Sequence, residues 1–241
     1  MEKEGNMDLG LKDKRIVVTG AMGGIGTEIC KVLEEEGARV VPVDIKSGTD
    51  LGDAVQTHEY FQELREQYKK IDGFVSSVYG GPGGQSGLHE VRLDDFESDM
   101  RNTFYAVFYP VKEALTWMRE TGGGHIVVIT SINAHLGLGE WGYDIAKAGL
   151  EQMVRNLATW HSNEGIYSFA LAPGTVAPTP AWEGKGDVLA AIARSIPDGK
   201  VTHPSEVANF VAFLLSSYAR MAIGNTILGD RAWSYKKDFI L

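Results

Sequence analysis

A short β-branched run, Arg15-Ile-Val-Val-Thr19, stops in Gly20-Ala-Met-Gly-Gly-Ile-Gly26 and leads straight into a helical pattern. A buried strand, a glycine turn and a helix in that order leave a chain few options. Glycine permits the tight turn and lets backbone N–H groups approach a pyrophosphate, and the helix N-terminus adds partial positive charge there. Ile25, Ile29, Val32 and Leu33 give the helix one apolar face, and Gly37 stops it.

The unit then recurs. Val40-Val-Pro-Val43 reads as a second strand, with Pro42 awkward for a central position. A helix over 55–69 and a strand Gly73–Ser76 follow, then a glycine-rich loop from Gly80 to Gly87. A long helical stretch over 93–120 is expected to kink near Pro110. His125–Thr130 and Tyr167–Leu171 read as strands, with a helix over 141–162 between them. Residues 173–203 read as irregular, before a helix over 204–216 and a strand near Thr226–Leu228. This alternation predicts an α/β, Rossmann-type, doubly wound parallel sheet in a single domain covering 1–241, with 1–13 as a flexible tail. A chain of this length buries a core without disulfides or metals.

Two places on this frame carry chemistry. Asp44 ends the second strand, 24 residues after Gly20, where an acid accepts hydrogen bonds from both ribose hydroxyls of an adenosine and repels a 2′-phosphate. The turn holds no Arg or Lys, so NAD is expected and NADP less so, with nearby Lys46 the one contrary sign. Tyr143 and Lys147 lie four apart on a helix and therefore on one face. A tyrosine ordinarily titrates near ~10; bringing it down by about three units takes roughly 4 kcal/mol of phenolate stabilisation, expected here from the ammonium and a nicotinamide. Such a phenol shuttles the proton of an alcohol. Ser131, at a strand end 12 residues before Tyr143, is placed to hold the substrate oxygen.

With these residues in view, the chain resembles the short-chain dehydrogenase/reductase family, single-domain type, from about residue 13 to 230. Thr19-Gly20-Ala-Met-Gly-Gly24-Ile-Gly26 matches its TGxxxGxG turn, Tyr143-Asp-Ile-Ala-Lys147 its YxxxK motif, and Pro173-Gly174 its PG motif. The resemblance implies catalytic roles for Asn102, Ser131, Tyr143 and Lys147, with Asn102 holding a water that relays protons to Lys147. It implies cofactor contacts at Gly20, Met22, Gly24, Ile25, Gly26, Asp44, Asp50, Leu51, Ser76, Ser77, Val78, Pro173, Gly174 and Val176, besides Tyr143 and Lys147. It also implies a substrate lid over 175–203 and a homo-oligomer, tetramer or dimer, through the long helices. Two departures stand out. Ser76-Ser77-Val78-Tyr79-Gly80 replaces the usual Asn-Asn-Ala-Gly, setting a bulky ring near the pocket, and Leu228-Gly229-Asp230-Arg231 replaces a more usual Asp-Gly-Gly.

The expected reaction is hydride transfer between NAD and a secondary alcohol or ketone. Asn133, His135, Glu140 and Trp141 hint at a hydroxylated substrate such as a sugar or polyol, whereas Trp182 suits an apolar or ring-shaped one and Tyr79 narrows the pocket or shifts the cofactor. Leu150, Met153, Val154 and Leu157 read as core or subunit packing. Rival readings are a catalytically silent nucleotide sensor on the same fold and an NAD-recycling epimerase or dehydratase, whose relatives usually carry a larger C-terminal domain. An enoyl reductase is disfavoured because that branch prefers a longer Tyr-to-Lys spacing. The net charge of −9 argues against a nucleic-acid or anionic-membrane partner. The polar, acidic start MEKEGNMDLG reads as no secretory leader, and no apolar run approaches the roughly 20 residues of a membrane span, so a cytoplasmic enzyme is expected. The single cysteine, Cys30, reads as a buried structural thiol, and histidines 58, 89, 125, 135, 161 and 203 lack metal-ligand spacing.

Overall fold

The computed structural model describes residues 7–81, 84 and 86–235. Six strands form one parallel sheet: β1 (Arg15–Thr19), β2 (Arg39–Val43), β3 (Gly73–Ser76), β4 (Gly124–Ile129), β5 (Ile166–Pro173) and β6 (Thr226–Gly229), in the order β2-β1-β3-β4-β5-β6. Connections from β1 run to opposite sides of the sheet, so a crevice opens at the carboxyl ends of β1 and β3. Pro42 lies opposite Val18 on β2, the edge strand, where its missing N–H breaks no interior ladder.

Alternation along the strands builds a core on each face. Val18, Val75, Val127 and Phe169 pack with α1 (Gly24–Glu35) and α7 (Pro204–Leu214). Val17, Phe74, Ile126 and Val128 pack with α2 (Ala54–Tyr68), α4 (Ala106–Thr121) and α5 (Trp141–His161). Phe61, Phe74 and Trp117 are essentially inaccessible, each contributing about 1.5–3 kcal/mol by burial. Local signals place the helix starts: Asp53 caps α2 by accepting from the N–H groups of Val55 and Gln56, and Pro204 opens α7.

Four expectations need correction. Leu11 is buried in the core and the Asp13 N–H donates to the Gly37 carbonyl at 2.8 Å, so residues 9–13 are packed against the domain; residues 1–6 of the expected tail lie outside the described residues. The long helix is interrupted ahead of Pro110. It comprises α3 (Leu93–Asp99), a π-helical turn over Met100–Tyr105, and α4, inside which Pro110 is buried. The π turn and α3 both pack beside α5, whose Gly142 leaves room for the end of α3: a Cβ there would fall 2.6 Å from Asp99 Cβ. The stretch expected to be irregular contains α6 (Gly186–Ser195), an apolar helix with no buried residue. Cys30 is only partly buried; burial nonetheless pushes its thiol up to about 11.

Candidate active site

One large cleft, of about 1010 Å³, runs along the carboxyl edge of the sheet. That is the upper end of the range for small-molecule and cofactor sites. Its first end is the glycine turn. Gly20 has φ +69, and a Cβ there would lie 2.4 Å from the Ser77 carbonyl oxygen. A Cβ on Gly26 would lie 2.0 Å from the Gly20 carbonyl oxygen, so α1 reaches the turn only because residue 26 has no side chain. No side chain caps α1, and no acid lies in its first turn. That terminus therefore suits a phosphate.

Gly20, Met22, Gly24, Ile25, Asp44, Asp50, Leu51, Ser77, Val78, Pro173, Gly174 and Val176 all line the cleft. Gly26 does not; it supports the turn from behind. Ser76 does not either, being fully buried within β3 and accepting from Thr19 Oγ1 at 3.3 Å. The Asp44 carboxylate accepts from the Met22 N–H at 2.9 Å and the Lys46 N–H at 3.1 Å, which locks the turn to the end of β2. Asp50 accepts from Arg101 Nη2 at 2.6 Å. The turn, the uncapped helix and the acid fit a nicotinamide dinucleotide, whose phosphates the backbone of 20–25 would hold and whose ribose Asp44 would meet.

At the middle of the edge stand Ser131, Tyr143 and Lys147, all lining the cleft. The Lys147 ammonium is buried and donates to the Ile129 carbonyl at 3.0 Å and to Val78 at 3.5 Å. Burial alone pushes it down to about 8. The protein's own groups work against the acidification expected with a nicotinamide bound. Burial pushes the Tyr143 hydroxyl well above the tyrosine range, and Tyr79, Glu140 and Asp144 push the same way; only a hydrogen bond with Ser131 opposes them. Spacing on a helix gives proximity, while desolvation opposes the charged phenolate.

Asn102 lines the cleft from the π turn, yet its side chain is exposed and its amide donates to Ser98 Oγ at 3.2 Å, not toward Lys147. The next residue, Thr103, is fully buried with a hydroxyl that has no partner among the described residues. Gly80 crosses directly over it; a Cβ on Gly80 would fall 2.4 Å from Thr103 Oγ1. Sequence reading passed over Thr103 because nothing in its spacing marks a buried hydroxyl.

The expected substrate residues divide. Tyr79 and Trp182 line the cleft. Tyr79 sets its ring edge-on to Tyr143, with centroids 6.0 Å apart at 75°. Asn133 also lines it, but its side chain is fully engaged: Oδ1 accepts from Ser131 Oγ at 2.9 Å, while Nδ2 donates to Glu140 and Asp144, each at 2.8 Å. Asn133 thus orients Ser131. His135 is absent from the lining; its Nε2 pairs with buried Glu151 at 3.0 Å. Trp141 faces a separate small pocket and donates to the Ser86 carbonyl at 3.0 Å. Trp233, unsuspected from the sequence, lines the main cleft from the loop after β6. Its place just past a carboxyl strand end was the available signal. Among the described residues no cluster of three or more His, Cys, Asp or Glu is placed to hold a metal, and no helix is long and apolar enough to cross a membrane.

Comparison with known proteins agrees with this geometry. Residues 20–231 match the family profile described as enoyl-(acyl carrier protein) reductase. The chain is 30% identical over 231 residues to an acetoacetyl-CoA reductase of Synechocystis sp., covering 92% of this chain and 96% of that one. It is 30% identical over 239 residues to a cis-4-hydroxycyclohexanecarboxylate dehydrogenase of Sinomonas cyclohexanicum, covering 90% and 95%. The fold matches that of L-sorbose reductase from Gluconobacter frateurii, solved with NADPH and L-sorbose, with a TM-score of 0.82 at 23% identity over 93% of this chain and 97% of that one. The chain belongs to the short-chain dehydrogenase/reductase family and is an oxidoreductase that works with a nicotinamide cofactor.

Proposed function

We propose that this protein is an NAD-dependent carbonyl reductase and secondary-alcohol dehydrogenase in which Tyr143 is the proton donor to the substrate oxygen. The observation that carries this reading is the convergence of Tyr143, Ser131 and Lys147 on one cleft with the glycine turn. The nicotinamide, when bound, supplies the two-electron redox chemistry. Tyr143, held as a neutral phenol by burial, gives its proton to a carbonyl oxygen. Ser131, oriented by Asn133, holds that oxygen. Lys147, anchored on two carbonyls, sets a cation beside the phenol face, 5.5 Å from the ring centroid. Asn102 lies on the cleft wall as a further polar contact.

Asp44 supports NAD over NADP, because a carboxylate at the ribose end repels a 2′-phosphate. The four-residue spacing of Tyr143 and Lys147 disfavours enoyl reduction. The complete set of proton-handling groups disfavours a silent sensor. Exposed Tyr105 and Phe108 on the helical face of α4 and its π turn support a homo-oligomer, tetramer or dimer. The reading carries a cytoplasmic setting, which cell fractionation tests.

The decisive experiment follows reduced-nicotinamide absorbance with ketones and secondary alcohols. Tyr143→Phe is expected to lower kcat about 10²–10⁴-fold while NAD binds with unchanged affinity. Full turnover in that variant removes the mechanism.

A further inference from the structure

We propose that the substrate half of the cleft selects a ketone or secondary alcohol carried on a rigid apolar ring, in preference to open-chain polyols or acyl thioesters. The inference rests on the carbonyl-reductase reading above and names its substrate class.

The strand order sets the geography. Asp44 and the glycine turn follow β2 and β1 at one end, Ser131 follows β4 in the middle, and Trp233 follows β6 at the other end. Around that far end the lining is Ile132, Leu138, Trp182, Val188, Ile192 and Trp233. Trp233 packs with Ile132 and Ile196, and Ile192 leans on the same cluster. Tyr79 adds an aromatic wall beside Tyr143, at a position where a bulky ring narrows the approach to the reacting oxygen.

Two polar side chains at this end are already engaged. Asn133 serves Ser131, Glu140 and Asp144. The Lys185 ammonium donates to the Ala181 carbonyl at 3.0 Å and stands over the Trp182 ring. A polyol would bring several hydroxyls to walls that answer few of them, and an unanswered hydroxyl is costly to bury. A coenzyme thioester brings phosphates to an end of the cleft whose nearest cation, Lys185, is already held in place.

The lid helix α6 makes the second, independent argument. It runs Gly-Asp-Val-Leu-Ala-Ala-Ile-Ala-Arg-Ser, yet none of its residues is buried, and Val188 and Ile192 face the cleft. A helix this apolar normally covers something. Here the thing covered is the cleft's contents, and an apolar body completes the burial.

The test uses the full-length enzyme with NADH and three probes: cyclohexanone and its 4-alkyl derivatives, the open-chain ketose L-erythrulose, and acetoacetyl-CoA. The ring ketones are expected to show kcat/KM at least about tenfold above the other two. Trp182→Ala is expected to raise KM for the ring ketone about tenfold, with kcat changed far less and the Kd for NAD unchanged. Because Trp233 belongs to a packed cluster, Trp233→Phe is the companion variant, expected to raise KM in the same direction while folding normally. Quenching of tryptophan fluorescence by the ring ketone in the presence of NAD reads binding apart from turnover, and Trp182→Ala is expected to lose part of it. Preference for erythrulose or acetoacetyl-CoA overturns the inference and leaves the reductase reading in place. No turnover of any probe by enzyme that binds NAD overturns both.

Discussion

The Lys147 ammonium lies 5.5 Å from the centre of the Tyr143 ring, yet its hydrogen bonds go to the backbone carbonyls of Ile129 and Val78. The protein therefore keeps the lysine as a buried cation tethered to the sheet, not as a direct partner of the phenol oxygen. Its burial has a measurable cost in stability.

Lys147→Met is expected to gain stability relative to the parent at neutral pH and to lose that advantage as pH rises. Burial depresses the folded-state value from 10.5 to about 8, so between those values the unfolded chain binds more protons and the parent grows more stable with pH. The swing should be on the order of 3 kcal/mol. Urea titrations at pH 7 and pH 10.5 measure it, and a pH-independent difference would contradict the assignment.

Asp44→Ala is expected to weaken NAD about ten- to hundredfold and to narrow its advantage over NADP. The same carboxylate fixes the Met22 and Lys46 N–H groups, so part of the loss comes from a looser turn. Calorimetric titration with both cofactors separates the two effects, since turn loosening weakens both alike. An unchanged ratio places the ribose elsewhere.

Gly26→Ala and Gly24→Ala should differ in kind. The first drives a methyl into the Gly20 carbonyl oxygen at 2.0 Å, against backbone that cannot yield. A loss of about 3 kcal/mol or more is expected, with failure to bind dinucleotide. The second meets the Thr179 side chain at 2.7 Å, in the segment after β5 proposed to cover the substrate. It should leave the melting temperature nearly unchanged and raise the substrate KM. Equal stability losses in the two variants would refute this distinction.

His125→Phe should flatten the acid limb of stability. The ring is stacked on Phe169 with centroids 6.0 Å apart, and burial, helped by Arg220 and Lys14, pushes it down to about 4. Its Nε2 has no partner among the described residues. As pH falls from 6.5 toward 4 the unfolded chain gains a proton that the folded one refuses, and stability drops. By pH 5 the variant should lead the parent by about 2 kcal/mol, relative to their difference at pH 7.5. Parallel stability curves would show that the histidine titrates normally.

What the sequence made legible was whatever depends on local backbone demands. Gly20 and Gly26 had to be glycine because their Cβ atoms have nowhere to go, and the alternation of Val17 and Val18 between two cores follows from strand geometry. Asp44, Ser131, Tyr143 and Lys147 could be placed because each stands at a strand end or on one helical face. The unreadable part depends on density in three dimensions. Whether Tyr143 becomes more or less acidic turns on how much water reaches it. The π turn shifts its helix by a fraction of a turn that no residue announces, and this leaves Asn102 outside and Thr103 inside. His135 and Trp141 were polar or aromatic near the right strand, but Glu151 and the Ser86 carbonyl claimed them.

Thr179 and Pro180, after β5, rest on Gly24 so closely that a single methyl does not fit between them. The glycine turn and the segment that follows β5 therefore share one surface. Were a ligand on the turn to shift that segment, thermodynamic reciprocity would make the segment's position change affinity at the turn by the same factor.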